Sequence, residues 1–349
     1  MTAFTVMTWN VQNLFLPGDP DGPADRPTFD QKLASLAAII NQAQPHVLAL
    51  QEVGPNGVLS QLQAVLTHQM PHAIAGQPDD RGIRVAFLST IQFDATRHLR
   101  PFPNLIRPVQ KKDPIFDKPA TPEDESLTAS MGRGGLEVTV SIGGTRITVI
   151  SAHFKSKLIS YARQAGVVGG SQFQPNDEGE RYRYAAYALY LRTGEAMTIR
   201  QRLNEILADP NDPGNIAAGT GGNTALVFCG DLNDEVEAAT TQIIQGPSGS
   251  EIGTAGFPRA DQGDGFRMWN LAPLLPKVDN DPPFTRKFKG RPELIDHIFA
   301  SRVMVNPDHM PTAQTIMSPD PLPNMGDNPN ARRNEPGSDH AAVVATFEV

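Results

Sequence analysis

The stretch GSDHAAVV, residues 337–344, places an aspartate and a histidine at the mouth of an apolar, β-branched segment close to the end of the chain. Alone, such a pair is a polar turn entering a strand. It gains meaning if other strands end in the same way, because carboxylates beside buried strands need partners. Other segments do so. TWN ends a strand at Asn10, and LALQE carries Glu52. VISAH ends at His153, VFCGDLND presents Asp231 and Asn233, and LIDHIF holds Asp296 inside an apolar run. A set of this kind is hard to explain as solvated surface. Ligands gather where rigid strands give way to loops, so these residues read as one convergent site.

Periodicity supplies the elements around them. Residues 4–11 read as strand, with Val6, Thr8 and Asn10 on one face and Met7, Trp9 and Val11 on the other. Over 30–41, Leu33, Leu36, Ala37 and Ile40 form one helical stripe that ends before Pro45. Residues 46–53 read as a buried strand, 58–66 as a helix and 83–89 as a strand. Gly143-Gly144 joins strands 136–142 and 145–153 as a hairpin. Residues 178–208 read as a helix weakened at Gly194, 225–229 as a strand, 236–244 as a helix, and 294–300 and 341–347 as strands. The Pro/Asn-rich stretch 306–337 reads as a long surface loop, and loops are also expected at 101–131 and 156–178. Strands and helices alternate early and hairpins follow. That order favours an α/β fold of stacked sheets with helices outside over a simple doubly wound sheet. No linker or internal repeat divides the chain, so residues 1–349 read as a single domain.

Composition bounds the function classes. With 30 glycines and 31 prolines the chain has long, shaped loops, and a net charge of -8 argues against a surface that grips polyanions everywhere. Cys229 is the only cysteine, which rules out an intramolecular disulfide. The start, MTAFTVMTWNVQNLF, has no basic region followed by a long apolar run and reads as a strand. No stretch approaches the ~20 apolar residues of a membrane span. The expectation is a cytoplasmic monomer with no stable membrane association.

The residue types point to hydrolysis of a phosphate ester. Glu52, through a carboxylate, and Asn10, through its amide oxygen, suit a hard divalent cation such as Mg²⁺ or Mn²⁺. His340 can exchange a proton near neutrality, and Asp296 could fix its tautomer. Asp231 and Asn233 suit orientation of water and contact with a phosphoryl oxygen. His153 and Lys155 offset charge in a pentavalent transition state. His340 is the expected base, with Asp231 as the competing candidate.

The ordered set TWNVQNLF, HVLALQEV, ISAHFKSK, FCGDLNDE, ELIDHIF and GSDHAAVV resembles the endonuclease/exonuclease/phosphatase superfamily from Asn10 to His340. The resemblance implies a four-layer α/β sandwich, with two mixed β-sheets face to face, helices outside and the active site at one edge of the sheets. It carries the metal-binding glutamate to Glu52, assisted by Asn10, and the paired polar motif to Asp231 and Asn233. It also carries the histidine-orienting carboxylate to Asp296 and the final pair to Asp339 and His340, with Asp339 near a second metal or a metal-bound water. His153 stands where pancreatic-type deoxyribonucleases and bacterial sphingomyelinases have histidine. The pancreatic-type enzymes give that histidine a glutamate partner. Here DDRGIRVAFLS offers Asp79 or Asp80 as the nearest carboxylates. Lys155 and Lys157 in SAHFKSK resemble bacterial nuclease-like members and are expected to bind substrate phosphates; Arg181 and Arg183 on the following helix read as a solvated face, with an extension of the positive rim as the alternative.

The leading expectation is therefore a metal-dependent nuclease acting on DNA, with RNA left open as a second candidate substrate. The alternative is a phosphatase or small-molecule phosphodiesterase acting on a sugar, inositol or lipid phosphate. The net negative charge supports the alternative, and the basic segment beside His153 supports the nuclease. A non-catalytic scaffold on this fold would have lost Glu52, Asp231 or His340, and all are present.

Overall fold

The computed structural model describes residues 1–55, 57–113, 126–161, 173–208, 224–246, 251–254, 256–257, 264–278, 281–328 and 331–349. Two mixed six-stranded sheets carry the fold. The first runs β15 (Thr312–Ile316), β17 (Ala342–Glu348), β1 (Ala3–Leu14), β2 (Val47–Val53), β4 (Arg84–Ser89) and β3 (His72–Ala75). The second runs β11 (Trp269–Asn270), β14 (Asp296–Ala300), β10 (Ala225–Asp231), β9 (Thr145–His153), β8 (Ser130–Ile142) and β5 (Ala95–Pro101). Short strands β6 (Val109–Gln110) and β7 (Leu127–Thr128) pair with each other. β12 (Arg286–Phe288), β13 (Arg291–Glu293) and β16 (Asn324–Met325) form a small separate sheet.

Both faces of each large sheet are apolar, which forces the layers. Val6, Val47, Ala49 and Phe87 of the first sheet meet Val138, Val149, Val227 and Ile298 of the second in one core. On the outer face of the first sheet, Met7, Trp9, Leu48 and Leu50 pack under Leu33, Leu36 and Ile40 of α1 (Arg26–Ala43) and under Leu62 of α2 (Val58–Val65). On the outer face of the second, Ile150, Phe228 and Phe299 pack under Ala196, Ile199 and Leu203 of α3 (Glu178–Leu207). The period-2 alternation of β1 thus feeds two different cores. This is the four-layer α/β sandwich that the resemblance implied. Gln51 ties the sheets together within the seam, donating to Thr8 Oγ1 at 3.1 Å and to Ser151 Oγ at 3.0 Å.

Several elements differ from the sequence reading. The stretch 306–337 is not one loop: Thr312–Ile316 pairs antiparallel with β17 as the sheet edge, and Asn324–Met325 joins β12. β15 is only partly buried, so it lacks the apolar alternation that marks an inner strand. β5, largely exposed at the other sheet's edge, and the short β3 escaped notice for the same reason. β10 continues past Cys229 to Asp231, the expected helix 236–244 begins only at Ala239, and the expected strand 294–300 starts at Asp296. Gly194 is a packing requirement within α3: a Cβ there would lie 3.0 Å from the Phe102 ring. Within the expected loops 101–131 and 156–178, residues 114–125 and 162–172 lie outside the described residues. Among the described residues, no helix is long and apolar enough to cross a membrane.

Candidate active site

Strand register builds the site. Asp231, the last residue of β10, lies opposite His153 of β9 on one side and Asp296 of β14 on the other. Gly230 makes this row possible. Its φ is +145°, and a Cβ there would stand 2.0 Å from the Ala152 carbonyl oxygen, so only glycine allows β10 so close to β9. Facing the row, the first sheet breaks its ladder. The β1–β2 register shifts between Asn10 and Leu14, and Gln12, Asn13 and Glu52 all take left-handed φ values of 49°, 50° and 62°. The turn aims main-chain donors at the site: the Gln12 N–H donates to Asn10 Oδ1 at 3.0 Å and the Asn13 N–H to Glu52 Oε2 at 2.9 Å. Non-glycine residues at positive φ mark local strain held by the surrounding structure.

The two sheets join at Asp231. Asn10 Nδ2 donates to Asp231 Oδ2 at 2.9 Å, and the Asn233 N–H donates to Oδ1 at 2.9 Å. His153 Nε2 lies 3.4 Å and His340 Nε2 4.0 Å from Oδ2. His340 Nδ1 bonds Asp296 Oδ2 at 2.7 Å. The 338–340 segment is fixed on β1: Ser338 Oγ donates to the Asn10 carbonyl at 2.6 Å, the His340 N–H donates to Ser338 Oγ at 3.0 Å, and Trp9 Nε1 donates to the His340 carbonyl at 2.8 Å. Asn233 also has left-handed φ, 53°, and its amide donates to the Phe154 carbonyl at 3.1 Å. Ligand atoms of Asp231, Asp296 and His340 lie within 4.8 Å of one another, close enough to hold a divalent metal.

Electrostatics divides the titratable groups. Burial and the Asp296 charge raise Asp231 to about 7. Burial disfavours a charged His340, but Asp296, Asp339 and Asp231 together prevail and push it up to about 10. Burial and then Arg133 hold His153 well below the ordinary histidine value, so it is neutral. His153 Nδ1 is buried with no hydrogen-bond partner among the described residues. Asp79 does not supply one. Its Oδ2 lies 3.3 Å from Arg133 Nε, and its Oδ1 accepts from the Arg81 and Ile83 N–H groups. The carboxylate expected beside His153 has instead become an anchor for Arg133.

These residues open on a cavity of about 560 Å³. Asn10, Glu52, His153, Asp231, Asn233, Asp339 and His340 line it, as does Lys157. Asp296 stands behind His340, fully buried. Lys155 is not among the lining residues. Its ammonium donates to the Leu158 carbonyl at 2.9 Å and the Ser156 carbonyl at 3.1 Å, and its N–H donates to the buried Glu195 carboxylate at 2.6 Å. The sequence reading placed Lys155 on substrate phosphates; the structure turns it onto the carbonyls of its own loop. Of the two arginines read as a solvated helix face with the rim as alternative, Arg181 lines the cavity, and Arg183 does not, its guanidinium held by Asp113 at 2.8 Å. Arg81, Arg133, Arg286 and Lys289 also line the cavity. They were missed because single arginines between polar residues carry no local pattern. A buried lysine, Lys32 of α1, was missed because it occupies a position in an otherwise apolar stripe.

A model of the Endonuclease/Exonuclease/phosphatase family matches residues 7–340. Among solved structures, an endonuclease/exonuclease/phosphatase from Bacteroides vulgatus is 15% identical, with all of both chains covered and a TM-score of 0.53. A humanized D. rerio TDP2 is 14% identical over 99% of each chain, with a TM-score of 0.52. A family protein from Leptotrichia buccalis is 13% identical, covering 99% of this chain and 100% of that one, with a TM-score of 0.51. At such identities the likeness is one of fold. No curated protein matches the chain. Since the family model spans nearly the whole length, and the motif residues of both sheets meet at one edge of the sandwich, the chain belongs to the endonuclease/exonuclease/phosphatase family.

Proposed function

We propose that this protein is a Mg²⁺- or Mn²⁺-dependent phosphodiesterase that hydrolyses DNA, and also RNA, by in-line attack of water, with residues 1–349 acting as one catalytic domain. The observation that carries this reading is the row Asp296–Asp231–His153 on the second sheet, met from the first by Asn10 and closed by His340. With His153 in the row, the reading follows the resemblance to pancreatic-type deoxyribonucleases and bacterial nuclease-like members, from which the Asp79 pairing with Arg133 departs. The donors fit a hard cation. Oxygen ligands predominate along the cavity, and Gln12 Oε1 is buried there with no hydrogen-bond partner among the described residues. Glu52 and Asn10 would hold the ion, with Asp339 beside it, rather than the Asp231–Asp296–His340 cluster, in which a cationic His340 is bonded to Asp296 and has no lone pair to offer. When bound, a divalent ion neutralises phosphoryl charge and stabilises the leaving oxygen.

The chain's own groups do the rest. Asp231, with its pKa raised to about 7, accepts a proton from water near neutrality. His340, held cationic by Asp296, places Nε2–H toward a phosphoryl oxygen. This exchanges the roles expected from sequence, where His340 was the base and Asp231 the competitor. Asn233 and neutral His153 orient the remaining non-bridging oxygens.

One observation favours the smaller-substrate reading. The cavity's cations are paired with carboxylates: Arg81 with Asp21 at 3.0 Å, Arg133 with Asp79 at 3.3 Å, Lys157 with Asp234 at 3.4 Å, Arg286 with Asp339 at 3.8 Å, Lys289 with Asp327 at 2.6 Å, and Arg181 with Glu178. A rim neutralised in this way attracts a polyanion less than its lysines and arginines suggest. A substrate panel separates the readings: supercoiled and linear DNA, RNA, bis-p-nitrophenyl phosphate, p-nitrophenyl phosphate and inositol phosphates, each with Mg²⁺ and Mn²⁺. Nicking of supercoiled DNA is the expected result, and activity confined to monoesters sinks the nuclease reading.

The lysines give a finer test. Lys157→Ala is expected to raise KM for long DNA by about two- to threefold and to flatten its salt dependence, with little change on the small diester. Lys155→Met is expected to lower the melting temperature instead, through the loss of its carbonyl contacts. Equal losses on both substrates in Lys157→Ala would remove it from polymer docking.

A further inference from the structure

Arg286 differs from the other cations of the cavity in the carboxylate it faces. Its Nε lies 3.8 Å from Asp339 Oδ2, an ion pair too long for a hydrogen bond. That Nε is buried with no hydrogen-bond partner among the described residues. Arg81, Arg133, Lys157 and Arg181 pair with carboxylates that do not line the cavity, and Lys289 pairs with the exposed Asp327. Asp339 is buried and lines the cavity. The backbone fixes where the guanidinium starts. Arg286 forms a β-bridge with His340, and the Ala341 N–H donates to the Thr285 carbonyl at 2.7 Å. Alternation along β12 puts Arg286 and Phe288 on one face, and both line the cavity. The guanidinium lies over the Phe288 ring, 5.2 Å from its centroid. A stacked guanidinium keeps its N–H edge for oxygen ligands, and Asp339 meets that edge only at ion-pair distance.

We propose that Arg286 is a ligand for the substrate's phosphoryl oxygens that Asp339 holds in reserve. Without a cation the guanidinium pairs with Asp339. When a divalent cation engages that carboxylate, Arg286 turns to the phosphate, so cation and phosphate bind cooperatively. The inference rests on the reading of Asp339 beside the cation. The physical argument is one of exchange. A carboxylate shared with a divalent cation neutralises a neighbouring guanidinium less, and the N–H donors then seek another oxyanion. Arg286 starts beside His340, so the oxyanion it meets is the one that the His340 Nε2–H faces. Because the coupling is a difference in binding free energy, it runs equally in both directions.

The test uses the full-length protein and methylphosphonate, a phosphoryl anion with no ester bond to hydrolyse. Calorimetric titrations in EDTA compare the parent with Asp339→Asn, Arg286→Gln and the double variant. Asp339→Asn is expected to bind methylphosphonate about tenfold more tightly than the parent, because Arg286 is released. In the Arg286→Gln background the same change should gain less than about twofold. Asp339→Ser takes the place of the asparagine variant should that one not fold. No gain in Asp339→Asn, or an equal gain in the double variant, overturns the role of Arg286. A second series adds Mn²⁺. It should strengthen methylphosphonate binding several-fold more in the parent than in Arg286→Gln, and equal strengthening overturns the exchange. Mn²⁺ titration of Glu52→Gln checks the underlying reading separately. Mn²⁺ affinity that survives this change intact removes the cation assignment and the cooperative step with it, while the EDTA series still decides whether Arg286 binds the anion.

Discussion

Asp231→Asn is expected to lower kcat by about 10³-fold without unfolding the protein. Asp231 is the point where the sheets meet: Asn10 and the Asn233 N–H bond its carboxylate, and both histidines face it. Asparagine keeps the shape and can still accept through one oxygen, but it cannot take a proton from water. The pH dependence carries the sign. Activity needs ionised Asp231, so kcat/KM for the parent should rise through pH values near 7, where burial and Asp296 have moved this carboxyl. It should fall again toward pH 10, where His340 loses its proton. The groups interact, so these limbs belong to the pair. Stability should move the other way from activity. A carboxyl raised in the folded state favours folding when protonated, and its contribution is lost as pH rises from the ordinary aspartate range through about 7. At pH 8 the Asn variant should therefore melt no earlier than the parent. A variant that keeps near-parent turnover would remove Asp231 from the chemistry.

The second large effect belongs to the His340–Asp296 pair. His340→Gln should cost about 10²- to 10³-fold in kcat with substrate binding retained, because the loss falls on charge developed in the transition state. Asp296→Asn should cause a related loss for a different reason. With Nδ1 held at 2.7 Å by a fully buried carboxylate, the imidazole is fixed in orientation and favoured as a cation. Replacing that charge lowers the histidine pKa, so the alkaline limb of the pH profile should shift to lower pH. His340 has its pKa raised in the folded state, so its stabilising contribution is present below the ordinary histidine value and lost as pH rises through about 10. Asp296→Asn should therefore flatten the loss of stability between neutral and alkaline pH. Profiles of kcat/KM and melting temperature across that range check both points. An alkaline limb that stays in place in Asp296→Asn contradicts the pairing.

Much of this was legible in the chain before its structure. Alternation along 4–11 identified a strand with Val6 and Met7 on opposite faces, which the structure buries in two cores, and the polar residues closing such strands pointed to the candidate site. These signals are local, because side-chain direction follows backbone period and a buried carboxylate needs a partner wherever it lies. What tertiary structure alone decided was which partner each group received. Asp79 was a candidate for His153 and went to Arg133, and Lys155 was a candidate phosphate ligand and closed on its own loop. Edge strands such as β15 and β5 left no pattern, since their exposed faces need no apolar residues. The proposed exchange of roles between Asp231 and His340 likewise rests on distances across three strands and two sheets. Sequence fixes the identity and period of side chains, whereas pKa and pairing depend on the charges within a few ångströms, which come from residues as far apart as 10 and 340.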